Sequence, residues 1–137
     1  MDNVEYIFAR SSALDWHDVD ASGFEVIVPE RIEECEYFAA LKLDDETVVA
    51  LATLAFDPDF DAIDIDFIEV HPDYRGDGYA KQLLRKTFRQ VVEDFDVEET
   101  LTVDLHGSSQ ENGHIIEDVA VEIVDTCDLG VQIQINP

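Results

Sequence analysis

Basic side chains are scarce in this chain. Eight Lys and Arg face thirty-three Asp and Glu, and only three of the eight are Lys. Cysteine is equally sparse: Cys35 and Cys127 stand far apart and match no metal-binding or redox spacing. Two buried thiols of a cytoplasmic protein are expected rather than a disulfide, and no metal site. No apolar run approaches the length of a membrane span, and the charged N-terminus lacks the layout of a signal peptide. The expected location is cytoplasmic, with neither a membrane nor a nucleic acid as partner. No repeat or low-complexity linker divides the sequence.

What remains is rich in core-forming residues. Hydrophobic side chains make up 46% of the chain, eight Phe among them, so it can bury a core despite its charge. At 137 residues it is expected to form one domain over residues 1–137. The net charge of −25 is spread along the chain rather than massed in a tail. Even acidity with little Lys points to a salt-loving cell. There molar salt shortens the screening length to about 3 Å, and self-repulsion largely disappears. A rival meaning is an acidic surface that imitates nucleic-acid phosphates.

One stretch organises the rest, VHPDYRGDGYAKQLLRKTFRQVVEDF from Val70 to Phe95. Before it, Ala62 to Glu69 alternates as a strand, with Ile63, Ile65 and Phe67 expected on one side and Asp64 and Asp66 on the other. Pro72 ends that strand. Beyond the Gly76-Asp77-Gly78 turn, Ala80, Leu83, Leu84, Thr87, Phe88, Val91, Val92 and Phe95 recur at helical spacing. Strand, glycine turn and helix make an anion site: glycines let the backbone turn tightly, and the first helical N–H groups point outward at the positive end of the dipole. Five of the eight cations lie here, Arg75, Lys81, Arg85, Lys86 and Arg89. A solvated helix face accounts for Arg85, Lys86 and Arg89. It does not account for Arg75 and Lys81 flanking the glycines, which favours a phosphate-bearing ligand.

The string Val70-His71-Pro72-Asp73-Tyr74-Arg75-Gly76-Asp77-Gly78-Tyr79-Ala80 resembles the acetyl-CoA motif of the GNAT family of N-acetyltransferases, V-x-P-x-Y/F-[RQ]-x-x-G-x-[GA]. It lacks the G-x-G-x-x-G spacing of a dinucleotide fingerprint and the Lys-Ser/Thr ending of a P-loop. The firm resemblance covers about Ala62 to Leu105. It implies a GNAT-type α/β fold: a mixed, mostly antiparallel sheet flanked by helices, with a splayed core strand followed by a pyrophosphate loop and a helix. It also implies acetyl-CoA as cofactor. By position, Ile68, Glu69 and Val70 would line the pantetheine. Arg75, Gly76, Asp77, Gly78, Tyr79, Ala80 and Lys81 would form the diphosphate loop. Asp77 departs from the family, which prefers Lys or Arg there.

Elsewhere the elements are plainer. Val4 to Ala9 reads as a strand or a helical turn, Ser11 to Asp20 as helical, Phe24 to Val28 as extended, and Pro29 opens a short helix. Tyr37 to Leu43 and Thr47 to Phe56 read as a hairpin joined by Asp44-Asp45-Glu46. Thr100 to Leu105 is a strand, Ile115 to Asp125 a helix and Val131 to Ile135 a last strand. In the family, the loop after the strand matching Thr100 to Leu105 often holds an Asn that bonds the pantetheine. Asn112 stands in that region, although Asn-Gly is equally a turn signal. The following helix usually carries a Tyr as general acid. No tyrosine follows Tyr79.

Acetyl transfer to an amine needs a base for the ammonium proton and an N–H donor for developing negative charge. By the family's placement of a carboxylate on the core strand, Asp64 and Asp66 are the candidate bases, with Glu69 a weaker third. His71, His106 and His114 lie beside turns and rank behind them. The implied activity is N-acetyl transfer from acetyl-CoA to a primary amine, made cationic by preference through the acidic cleft; a homodimer is left open. The absent Tyr keeps a second reading, a non-catalytic CoA-binding scaffold or subunit. The nucleic-acid mimic ranks below both, because a phosphate-imitating surface gains nothing from clustered cations. The acidity itself is testable: between dilute and molar KCl the unfolding temperature should rise by on the order of 10 °C. A flat midpoint in a melting series would remove the high-salt reading.

Overall fold

The computed structural model describes residues 4–10, 24, 34–44, 47–105 and 113–135. Six strands form one sheet in sequence order: β1 (Val4–Arg10), β2 (Tyr37–Leu43), β3 (Val48–Asp57), β4 (Ala62–Val70), β5 (Thr100–Leu105) and β6 (Gly130–Ile135). The first four pair antiparallel, while β4–β5 and β5–β6 are parallel. Each parallel step is bridged by a helix, as parallel neighbours require. These are α1 (Tyr79–Asp94) between β4 and β5, and α2 (Gly113–Cys127) between β5 and β6. Residues 4–9 thus settle as strand. The helices expected at 11–20 and after Pro29, the extended run beyond Phe24, and the loop holding His106 and Asn112 lie outside the described residues.

Both described helices cover the same face of the sheet. α1 contributes Leu83, Leu84, Phe88 and Val91, and α2 contributes Ile116, Val119, Ala120 and Ile123. They pack onto Leu54, Phe56, Ile63, Ile65, Leu101, Val103 and Leu105. The helical spacing of these apolar residues is what makes them one stripe. Phe95, just past α1, stacks on Phe56 at 4.2 Å and meets Tyr37 edge-on at 5.6 Å, pinning the helix end to β2 and β3. The opposite face holds a smaller cluster of Phe24, Phe38, Ala40, Val48 and Leu51, with Phe67 packed against it.

Among the described residues, three non-glycine residues have left-handed backbone, and all three are aspartates: Asp61, Asp96 and Asp128. They sit before β4, after α1 and after α2. Asp tolerates this region better than most residues because its short side chain bonds locally. A chain with only six glycines thus uses its abundant acid at turn positions.

β1 is tied to α1 by a polar relay. The Tyr6 hydroxyl donates to Thr87 Oγ1 at 3.3 Å, and Thr87 donates to the Leu83 carbonyl at 2.8 Å. Burial pushes the Tyr6 phenol up to about 12, assisted by the negative charge of Asp94 and opposed by the Thr87 bond. A raised folded-state value favours the neutral phenol. The contribution is therefore complete below the ordinary value of 10.0 and is lost as pH rises towards 12. Tyr6→Phe should flatten the fall in unfolding temperature over that window. At neutral pH it should cost about 0.5–1.5 kcal/mol for the lost hydrogen bond. Parallel pH–melting curves would refute the linkage.

Candidate active site

The site is built around an irregularity in β4. Its register against β3 runs Ile63↔Phe56 and Ile65↔Leu54, then shifts to Phe67↔Thr53 and Ile68↔Ala52. Asp66 is the extra residue, a β-bulge, and one extra residue inverts everything that follows. Ile63, Ile65 and Ile68 all reach the helix-covered core, whereas Phe67 packs on the opposite face. This corrects the expectation that Phe67 shares a side with Ile63 and Ile65. The sequence did carry a sign of it: the apolar doublet Phe67-Ile68 breaks the alternation.

The bulge also marks where β4 loses its second neighbour. β5 pairs with Ala62 through Ile65 only, so residues 66–70 have no β5 partner among the described residues. His71 N–H donates to the Val49 carbonyl at 2.8 Å, fixing that residue's polar groups towards β3. By alternation the N–H and C=O of Ile68 and Val70 face the other way, towards the β5 side. Residues 66–70, which have no β5 partner among the described residues, span about 13 Å at roughly 3.3 Å per residue.

At the far end of the edge lies the glycine loop. A 3₁₀ turn over Pro72–Tyr74 opens it, with His71 Nδ1 accepting the Asp73 N–H at 3.2 Å. The His71, Tyr74 and Tyr79 rings meet edge-on in series, 5.5 and 6.2 Å apart. Arg75 Nε donates to the Val70 carbonyl at 3.2 Å, folding the loop back onto the strand. Gly76 and Gly78 hold φ of +90° and +80°, which L side chains rarely adopt. Gly78 is the N-cap of α1, and no side chain caps the helix. The outward N–H groups of its first turn therefore remain available to an anion. A Cβ added at either glycine would meet no atom of the described residues within 4 Å, so the loop fronts open space among them.

The cations divide as their positions suggest. Arg85 pairs with Glu122 at 3.0 Å and joins α1 to α2, a structural role. Lys86 lies 6.0 Å above the Tyr6 ring. Arg75 and Lys81 stay exposed beside the glycines, with Asp77 between them also exposed. Tyr79 is buried against the core, Ala80 half-buried, and Glu69 is buried within β4. The glycine loop, the uncapped helix start and the free strand edge fit an elongated ligand carrying a diphosphate, as acetyl-CoA is.

At the near end of the edge, a cavity of about 200 Å³ is lined by Glu34, Cys35, Thr53, Asp66 and Phe67. It lies on the face away from α1 and α2. Thr53 is 1% exposed, and its Oγ1 has no hydrogen-bond partner among the described residues. A buried hydroxyl left so costs about 1–3 kcal/mol, which invites a ligand. Of the two aspartates, only Asp66 lines this cavity. Asp64 stands in the paired half of β4, opposite Asp104 of β5. Glu34, Cys35 and Thr53 were not anticipated. Thr53 is the one hydroxyl inside an otherwise apolar strand, a signal in hindsight; Glu34 and Cys35 are remote in sequence and gave none.

The geometry agrees with what comparison finds. The profile of the acetyltransferase (GNAT) family matches residues 4–111. No curated protein matches the chain in sequence. Among solved structures, ribosomal-protein-alanine N-acetyltransferase from Brucella melitensis biovar Abortus 2308 superposes with a TM-score of 0.58 at 18% identity, covering 86% of this chain and 91% of that one. A GNAT-family acetyltransferase from Streptococcus pneumoniae gives 0.54 at 17% identity, over 98% of both chains. A chimeric spermidine N-acetyltransferase from Vibrio cholerae gives 0.55 at 12%, over 85% of this chain and 78% of the other. At these identities the solved structures speak for the fold, and the profile over most of the sequence decides the family. The chain belongs to the acetyltransferase (GNAT) family.

Proposed function

We propose that this protein transfers an acetyl group from acetyl-CoA to a primary amine. The observation that carries the reading is the β4 bulge, which sets a free strand edge between the glycine loop and the cavity at Asp66. Residues 75–81 would hold the diphosphate, and the Ile68 and Val70 backbone would pair with the pantetheine arm. When bound, acetyl-CoA supplies an activated acetyl thioester. The chain's own part is to place the amine, remove its proton and donate N–H groups from the strand edge. Asp66 is the better placed of the two candidate bases because it faces the cavity. Two of the similar structures are named for amine acceptors, the alanine of a ribosomal protein and spermidine, which supports a nitrogen nucleophile. A cytoplasmic setting at high salt completes the proposal.

A second reading is favoured by one observation: no tyrosine follows Tyr79, so the family's usual proton donor to the thiolate is absent. In that case the chain binds CoA as a scaffold and does not turn over. Steady-state assay with a panel of amines separates the two.

Two substitutions test the main reading. Gly78→Val puts a β-branched residue at φ +80° on the side facing open space. CoA affinity measured by calorimetry at molar KCl should fall about a hundredfold or more, with a local strain cost of only about 1–3 kcal/mol. An unchanged affinity would sink the cofactor assignment. Asp66→Asn keeps the size of the side chain and removes its basicity. It should lower kcat by about a hundredfold to ten-thousandfold with CoA affinity retained, whereas Asp64→Asn should leave kcat near the parent value. The reverse ranking in the pH–rate profiles would move the base to Asp64.

A further inference from the structure

We propose that the outer edge of β6 is an interface for a second copy of this chain, which adds its own β6 antiparallel across a twofold axis. The interface lies two strands away from the β4 bulge and does not depend on the transferase reading. Charge singles out this strand. Among the described strands, β6 (GVQIQI) alone carries no charged residue. β1, at the other edge of the sheet, carries Glu5 and Arg10. Edge strands are ordinarily kept from pairing by charges, bulges or proline within them. β6 has none of these, and its register against β5 runs without a shift from Gly130 to Ile135. In a chain with a net charge of −25, an edge that meets its own copy has to be neutral. This one is.

Backbone direction fixes how the two copies meet. The Gly130 N–H donates to the Glu99 carbonyl at 2.8 Å, so Gly130 turns its polar groups towards β5. By alternation Gln132 and Gln134 do the same, while Val131, Ile133 and Ile135 point their N–H and C=O groups outward. A twofold axis at Ile133 engages all three outward residues. Ile133 pairs with its own copy and Val131 with the partner's Ile135, each pair exchanging N–H and C=O groups. Gln132 then stands opposite the partner's Gln134 on the face away from the helices. Both are exposed, and an amide donates as well as accepts, so the pair closes without a counter-charge. On the helix face, Val131 and Ile133 already pack against the core, and the seam continues that apolar row into the second copy.

α2 runs beside this edge and adds to the contact. Glu122 is held to Arg85 of α1, and Ile123 is buried in the core. At about 100° per residue, Val121 and Glu117 then fall on the flank away from α1. Val121 is 40% exposed, one of two large hydrophobic residues so exposed among those described. Its copy across the axis would cover it. Glu117 brings a carboxylate from each copy to the same flank, so association should strengthen as salt screens the pair.

Sedimentation equilibrium of the whole chain is the test. In about 0.5 M KCl the mass should approach twice 15.5 kDa as the concentration rises through the micromolar range. The dimer should tighten about tenfold between about 0.2 and 2 M KCl. Gln132→Glu with Gln134→Glu sets like charges opposite each other in the seam and should weaken the dimer about tenfold. Gln132→Glu with Gln134→Lys sets opposite charges there and should leave the dimer at least as tight as the parent. Ile133→Pro removes the central N–H, a change an edge strand accepts where that group points outward, and should abolish the dimer. Should it fail to fold, the two Gln variants decide, because both positions are exposed. A monomer at every salt concentration overturns the interface. A dimer that both Gln variants affect equally overturns it too, as does one that weakens when KCl is raised, since β6 has no charge to hold an ion pair.

Discussion

A strand alternates its side chains with a period of two, and that constraint is what the single extra residue at Asp66 exploits. Without it, Phe67 would follow Ile63 and Ile65 into the helix-covered core, and Ile68 would face the other way. With it, β4 keeps an unbroken apolar row beneath α1 and α2 on one face. On the other face, Asp66 and Phe67 stand next to Thr53. The same strand serves the fold in its first half and lacks a β5 partner among the described residues in its second, because β5 pairs only as far as Ile65. Placing the site on a sheet strand rather than a loop ties it to the packed core through Ile63, Ile65 and Ile68.

Charge is used locally against the global balance. With a net charge of −25 the protein repels anions at long range. The proposed anion site would therefore depend on short-range terms: outward N–H groups of an uncapped helix start, and Arg75 and Lys81 beside it. Salt shrinks the long-range repulsion and leaves these contacts largely in place, since screening acts beyond the Debye length. Asp77 between the glycines looks contrary to the site's purpose, but it points from an exposed loop into solvent where the same screening applies.

Most of the architecture was legible because its signals are local. Pro72, the two glycines and the switch from period two to period 3.6 lie within one stretch, and each acts on its own neighbours. β5 falls where its β-branched residues stand, Thr100 to Leu105, and α1 and α2 follow their apolar stripes. The bulge was missed because register belongs to a pair of strands: Asp66 is extra only relative to Thr53 and Leu54 of β3. Phe67-Ile68 hinted at it, yet a doublet of apolar residues also suits a strand buried on both faces. The cavity was less legible still. Glu34 and Cys35 reach it from a segment some thirty residues before Asp66, and only the folded sheet brings the two together. Of the candidate bases, spacing alone could not separate Asp64 from Asp66, since both fall on the polar side of one strand. The end of β5 pairing at Ile65 puts Asp64 in the paired half of β4 and Asp66 beyond it.

The two ends of the site share one rigid part. Arg75 bonds the Val70 carbonyl, so the loop's position is referred to the last residue of β4 rather than to the loop itself. The edge-on series of His71, Tyr74 and Tyr79 rings holds the turn from the other side, and Tyr79 is itself packed in the core. A carbonyl oxygen has two lone pairs, so the Arg75 bond leaves Val70 able to accept a second donor from a ligand lying along the edge. The distance between the anion loop and the cavity is then set by the length of residues 66–70 in an extended strand, the least compressible spacer the backbone offers. A ligand whose length matches that spacer binds both ends without paying to order them. On the proposed reading, this is how the loop and the cavity would act as one site without a joining side chain among the described residues.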